Sequence, residues 1–261
     1  MYVNISAMLF TQTDACDKMD KTTQTEINIM STRAFLGLNN NQLKIIAMLA
    51  MLIDHIGVEL LPQCLILRII GRLAFPIFAY MIAEGCRYTK NRTRYLLMIL
   101  GLALGCQAVF FIAEGSLYQG ILVTFSLSII TVFGIDGFVK ERSVGSLWVM
   151  ILSLLLVLAA LFAAPVLLKA YGYRVDYGAL GVFLPVAVYF SPNKMTKLMS
   201  ALIVLAIMGY FMGGVQWFAL LAIPLLLLYN GERGRLNLKY LFYIFYPAHL
   251  VVIYLIGLMI K

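Results

Sequence analysis

The stretch from Leu43 to Glu84 sets six ionisable side chains, Asp54, His55, Glu59, Arg68, Arg72 and Glu84, inside two runs that otherwise read as membrane-spanning helices. A charge at the centre of a bilayer costs about 2.5–3.5 kcal/mol even on lenient insertion scales, so such groups face a protein interior or a water-filled cavity. His55 stands out, because a neutral imidazole exchanges protons near physiological pH and is an unusual choice for packing at mid-membrane depth. Arg68 and Arg72 are spaced i, i+4 and share a helix face, as do His55 and Glu59. Asp54 points about 100° away from His55 around the same helix, so it does not automatically orient the imidazole. These residue types suit acid–base chemistry assisted by a guanidinium. The competing structural use is a buried network of neutralising pairs, such as Glu59 with Arg68, that holds the hairpin together.

Depth decides which groups can meet. With the first helix starting near Leu43, His55 lies roughly 18 Å along it, just past the middle of a core about 30 Å thick. The second helix returns from Leu65 and carries Arg72 roughly 10 Å inward from the opposite face, into the same layer. The short connection around Pro62 and Gln63 makes the two helices antiparallel neighbours. The second of the two histidines, His249, falls in the last apolar run about nine residues beyond Tyr240, again near mid-depth. Pro247, two positions earlier, can free a carbonyl and bend that helix. A cavity shared by His55 and His249 is one expectation, and a core histidine satisfied locally is the other for His249.

The elements that must position these residues follow from composition. At 62% hydrophobic, 12% charged and mean hydropathy +0.93, the 261 residues carry more apolar side chain than a water-soluble domain buries. Nine apolar runs follow residue 42, approximately 43–62, 65–86, 95–114, 119–138, 146–168, 178–191, 197–214, 216–229 and 240–260. Because backbone donors in lipid must be satisfied within the segment, they predict an all-α, polytopic integral membrane bundle of about nine transmembrane helices, the sixth and eighth of them short. Residues 1–42 are too polar to span and read as a loosely ordered cytosolic tail ahead of a membrane domain at 43–261. The opening MYVNISAMLF lacks the basic flank and cleavage pattern of a secretory signal.

Lys and Arg cluster after the second, fourth, sixth and eighth runs, whereas the alternate connections and the C-terminus hold only Lys169, Arg174 and Lys261. By the positive-inside rule the tail is cytoplasmic and the C-terminus lies outside. The net charge of +8 is therefore topological, and without a long basic run no nucleic-acid partner is expected. Cys16, Cys64, Cys86 and Cys106 have neither CxxC spacing nor a nearby histidine, so no metal is expected. Gly101 and Gly105, like Gly209 and Gly213, have the GxxxG spacing that lets helices approach closely. No internal repeat of the kind found in transporters with inverted halves is visible.

The turn CRYTKNRTR supplies Arg87, Lys90, Arg92 and Arg94 beside Glu84, and Lys44 sits at the same mouth. Topology alone accounts for these cations, yet they also suit a phosphate-bearing ligand arriving from the cytosol. Arg68 and Arg72, nearer the other face, are poor candidates for holding such phosphates.

The segments LKIIAMLAMLIDHIG, LRIIGRLAFPIFAYMIAEG, DYGALGVFLP and KYLFYIFYPAHLVVIYLI resemble successive signatures of the TraX family over residues 43 to 260. That family is named after a conjugal-transfer protein that acetylates the N-terminus of pilin. Lys44, ten positions from His55, is also similar to the first-helix motif of a broader group of membrane acyltransferases that use cytosolic acyl-CoA. The resemblance implies a multi-pass acetyltransferase of the bacterial inner membrane, with acetyl-CoA as donor and His55 as the catalytic histidine. Its partners would be membrane lipids and an acceptor amine or hydroxyl on pilin, another peptide, a glycan or a lipid.

In that scheme Lys44, Arg87, Lys90, Arg92 and Arg94 hold donor phosphates, His55 is the general base and Arg72 stabilises the oxyanion. His249 relays the proton or positions the acceptor. A route through an acetyl-histidine remains open. A proton-coupled carrier with a mid-membrane polar site, or a noncatalytic scaffold, would use the same buried groups differently.

Overall fold

The computed structural model describes residues 37–234 and 239–260. Most of the tail assigned to residues 1–42, and with it Cys16, lies outside the described residues, as do Arg235 and Lys261. The first helix, α1, spans Asn40–Glu59 and so starts inside the expected tail. The reason is local: the Asn39 side chain accepts from the Gln42 N–H at 3.0 Å and the Gln42 side chain accepts from the Asn39 N–H at 2.9 Å, a reciprocal cap that sets the first turn.

The second span, Leu65–Tyr88, is one apolar stretch but two helices, α2 (Leu65–Gly71) and α3 (Ala74–Tyr88). Pro76 accounts for the break, since its ring opposes the carbonyl four residues earlier and it has no N–H for that oxygen, which places the interruption at Arg72. Then come α4 (Arg92–Glu114), strand β1 (Tyr118–Gln119), α5 (Ile121–Glu141) and α6 (Val144–Leu158). The chain passes through a π-helical turn at Ala159–Ala163 just ahead of Pro165, whose missing N–H forces the register to widen, and continues into α7 (Ala164–Leu167). Strand β2 (Arg174–Val175) pairs with β1 in parallel, and α8 (Gly178–Phe190), α9 (Lys194–Met212), a 3-10 segment Gly214–Leu221, α10 (Ala222–Leu227) and α11 (Lys239–Ile260) complete the order.

Among the described residues seven helical stretches are long and apolar enough to cross a membrane, and the two shorter ones are Gly178–Phe190 and Gly214–Leu227. These are the expected short sixth and eighth runs. Contacts at their C-terminal ends show that both reach the face where α1 starts and α3 ends. Arg87, at the end of α3, donates to the carbonyls of Tyr189 and Ser191 at the end of α8. Lys194, at the start of α9, donates to those of Leu227 and Tyr229 beyond α10, and the Leu38 N–H ahead of α1 donates to Leu228 O. The face where these ends meet is the basic face, and the opposite one is the far face.

The central helix is α5, packed between α4, α6 and α8, while α3 packs on α1, α5 and α8. Its buried hydroxyls are satisfied: Ser126, Ser128 and Thr131 donate to carbonyls one turn back, and Ser128 also reaches Val182 O of α8. α4, α6 and α11 present Leu97, Leu104, Val149, Leu152, Leu255 and Leu258 outward, which in a bilayer is the lipid face. The chain is a multi-pass membrane protein. Gly209 packs against Trp217, as a close-approach glycine should. Among the described residues nothing lies within 4 Å of a side chain added at Gly101 or Gly105 in α4, so there this GxxxG pair meets no second helix.

Candidate functional site

The six ionisable residues of the first hairpin divide between the two halves of the bundle. Glu84 lies at the basic face, 3% exposed and paired with Lys197 of α9, whose ammonium sits 6.0 Å over the Tyr80 ring. The others lie toward the far face, where Asp54 is the hub. Its carboxylate takes Arg68 at 3.0 Å and Arg72 at 2.7 Å. The approach depends on two glycines: a side chain on Gly57 would meet Leu67 at 2.8 Å, and one on Gly71 would lie 2.2 Å from the Asp54 carboxylate. This proximity corrects the expected pairing of Glu59 with Arg68. Glu59, the last residue of α1, is exposed and has no ion pair among the described residues, because Arg68 lies close enough to reach the deeper Asp54.

Arg72 also donates to the Tyr177 hydroxyl at 3.2 Å and to Gln216 Oε1 at 3.3 Å. Arg72 thus ties α1, the start of α8 and the 3-10 segment together at one point. Beside it stand the two histidines, their ring centroids 5.2 Å apart. Of the two expectations for His249, the shared neighbourhood with His55 is the observed one, and it coexists with a local bond. His249 Nδ1 lies 2.8 Å from Phe245 O, so the neutral ring carries its proton there and leaves Nε2 as a bare lone pair. That Nε2 is buried without a hydrogen-bond partner, in a residue 5% exposed.

A cavity of about 680 Å³ opens on the basic face between α1, α3, α4 and α11. Lys44, Arg94 and Arg233 are its cations, with Lys44 5.4 Å over the Phe242 ring. Farther in, Met48, Met51, Met98, Leu102 and Phe125 make it apolar, and Phe245 and Tyr246 line its inner end. The same two rings pack on His249, Phe245 stacked at 4.9 Å and Tyr246 edge-on at 5.7 Å. Neither histidine lines the cavity itself, and the pair stands behind this aromatic floor.

The expected cationic cluster is therefore split. Arg94 and Lys44 line the cavity. Arg87 is committed to the α8 carbonyls and Arg92 to Asp136 of α5, while Lys90 is exposed away from the cavity lining. Arg233, from the connection after α10, stands with Lys44 and Arg94.

Tyr177, Gln216 and Asp176 were not singled out as site residues by sequence. Gln216 had a signal, as the lone polar residue of the run 216–229, and Tyr177 lies in the DYGALG segment quoted for its resemblance. Asp176 sits in the connection before α8, where burial pushes its carboxyl above the usual carboxylate range against a hydrogen bond from Tyr118 and the nearby charge of Arg72.

A membrane bundle with a polar mid-depth site and a basic-mouthed cavity defines the class, and comparison with known proteins gives the family. The family model described as TraX protein matches residues 39–257, and the chain belongs to that family. Among curated proteins it is similar to a probable fimbrial assembly protein, FimC of serogroup H1, from Dichelobacter nodosus. The two are 26% identical over 243 residues, covering 81% of this chain and 93% of the relative. An uncharacterized protein of Rickettsia prowazekii is 46% identical over 55 residues, which span 21% of this chain and only 22% of that protein. No solved structure matches.

Proposed function

We propose that this protein is a membrane-embedded acyltransferase that moves an acetyl group from acetyl-CoA to an acceptor amine or hydroxyl. The observation that carries the reading is the cavity, which starts at three cations and ends at the aromatic floor behind which the histidines meet. Lys44, Arg94 and Arg233 would receive the donor's phosphates, and the apolar interior would take its arm and thioester. In the reaction the acceptor nitrogen or oxygen attacks the thioester carbonyl while its proton passes to His55. Arg72 stabilises the oxyanion. Collapse of the intermediate breaks the C–S bond, and the leaving thiolate takes the proton back from the imidazolium. His249 Nε2, a lone pair beside His55, offers a second resting place for that proton.

The positive-inside rule supports a cytoplasmic basic face, an N-terminus inside and an inner-membrane location in a bacterium. The role named for the Dichelobacter relative, fimbrial assembly, together with the family's namesake activity, supports a pilin N-terminus as acceptor.

Radiolabelled acetyl-CoA incubated with membranes carrying the protein and its native acceptors tests the reading. Label transfer that disappears in His55→Ala is the expected result. Proton-linked solute flux without label transfer would mark a carrier instead, and full biological function in His55→Ala would mark a scaffold.

A further inference from the structure

Asp176, Tyr177 and Gly178 lead into α8 through two consecutive residues in the left-handed region, Tyr177 at φ 56° and Gly178 at φ 54°. Glycine adopts that backbone freely, whereas a tyrosine there is strained and its surroundings must hold it in place. They do so from several sides. The Asp176 N–H donates to Gln119 O at 2.9 Å, which prolongs the β1–β2 pairing, and Thr124 Oγ1 donates to Asp176 O at 2.8 Å. The Tyr177 ring stacks on Phe75, centroids 4.0 Å apart and planes 10° from parallel. Gly181 leaves the room this needs, since a side chain there would come within 2.6 Å of Tyr177 Cβ.

The outcome of this construction is the position of one hydroxyl, 3.2 Å from Arg72 Nη1. Gln216 Oε1 shares that nitrogen, and Asp54 holds Nη2. The third nitrogen, Nε, is buried and has no hydrogen-bond partner. An arginine placed for stability alone would satisfy all three, because a buried donor left unpaired loses its hydration without a replacement.

We propose that Tyr177 is a positioning residue for Arg72: with Asp54 and Gln216 it clamps the two terminal nitrogens so that Nε–H stays open for the oxyanion formed at the thioester carbonyl. The inference rests on the acyl-transfer reading. Donors fixed before the charge develops need no reorganisation when it appears, and a displacement of about 1 Å costs on the order of 100-fold in rate.

Tyr177→Phe keeps the stack on Phe75 and removes only the hydroxyl. With labelled acetyl-CoA and the full chain in membranes, it lowers kcat about 10- to 100-fold while KM for acetyl-CoA stays within about twofold and the variant remains folded. Gln216→Leu, which loosens the same nitrogen, gives the same split and serves if Tyr177→Phe does not fold. Wild-type kcat in either folded variant, with His55→Ala inactive, overturns this inference and leaves acyl transfer standing. No label transfer by the wild-type protein overturns both.

Discussion

The two ends of the bundle treat charge in opposite ways. At the far half, Asp54, Arg68, Arg72, Tyr177 and Gln216 bind one another across four elements, and most of their polar atoms are spoken for. At the basic face, Lys44, Arg94 and Arg233 line an open cavity with no carboxylate bridged to any of them among the described residues, while Arg87, Arg92 and Lys197 nearby are tied to carbonyls or acids. Cations facing a cavity can meet what enters it, and cations locked in a network serve geometry. Residues of one type in one turn, such as Arg87 and Arg94, thus separate by what they touch.

Breaking the far network has the largest expected effect. Asp54→Ala leaves two buried or half-buried arginines without their shared anion and destabilises the protein by about 3–5 kcal/mol. The loss is read as a fall in the thermal midpoint of the detergent-solubilised protein, partly recovered when Arg68→Met removes one of the stranded charges. Gly71→Ala, which pushes a methyl into the Asp54 carboxylate, costs about 1–3 kcal/mol in the same assay.

Changes at the basic face act on binding and leave folding alone. Lys44→Ala and Arg233→Ala each raise KM for acetyl-CoA by about tenfold or more at constant kcat, the value of one charge-assisted hydrogen bond. The difference from wild type shrinks as salt is raised. Arg87→Gln is the control that sharpens the contrast: KM stays within about twofold, and the loss appears as a lower thermal midpoint from the uncapped end of α8.

The smallest effect concerns Asp176. Its folded-state carboxyl holds a proton more tightly than in the unfolded chain, so the stability it contributes is present at acidic pH and is lost as pH rises from about 4 through the raised value. In Asp176→Asn that downward trend disappears, and a pH series of thermal midpoints reads it directly.

Much of the fold was legible because lipid makes hydrophobic length almost the whole signal. Nine runs, the short sixth and eighth, the tight hairpin and the common depth of His55 and His249 all follow from counting residues against bilayer thickness. Partner choice was not legible. The Asp54 hub depends on Gly57 and Gly71 letting α2 approach, and no periodicity reports what two missing side chains permit. Arg87 and Arg92 look identical to Arg94 in sequence, since their carbonyl and carboxylate partners lie 44 to 104 residues away. Tyr177 escaped because it sits in a connection, and its importance lies in a backbone angle that composition does not show.

The aromatic floor made by Phe245 and Tyr246 has a wider consequence. Both line the cavity and both pack on His249, so one pair of rings is shared by the hollow and the polar layer beside it. A change of rotamer at either ring would alter the lining of the hollow and the packing of the imidazole together.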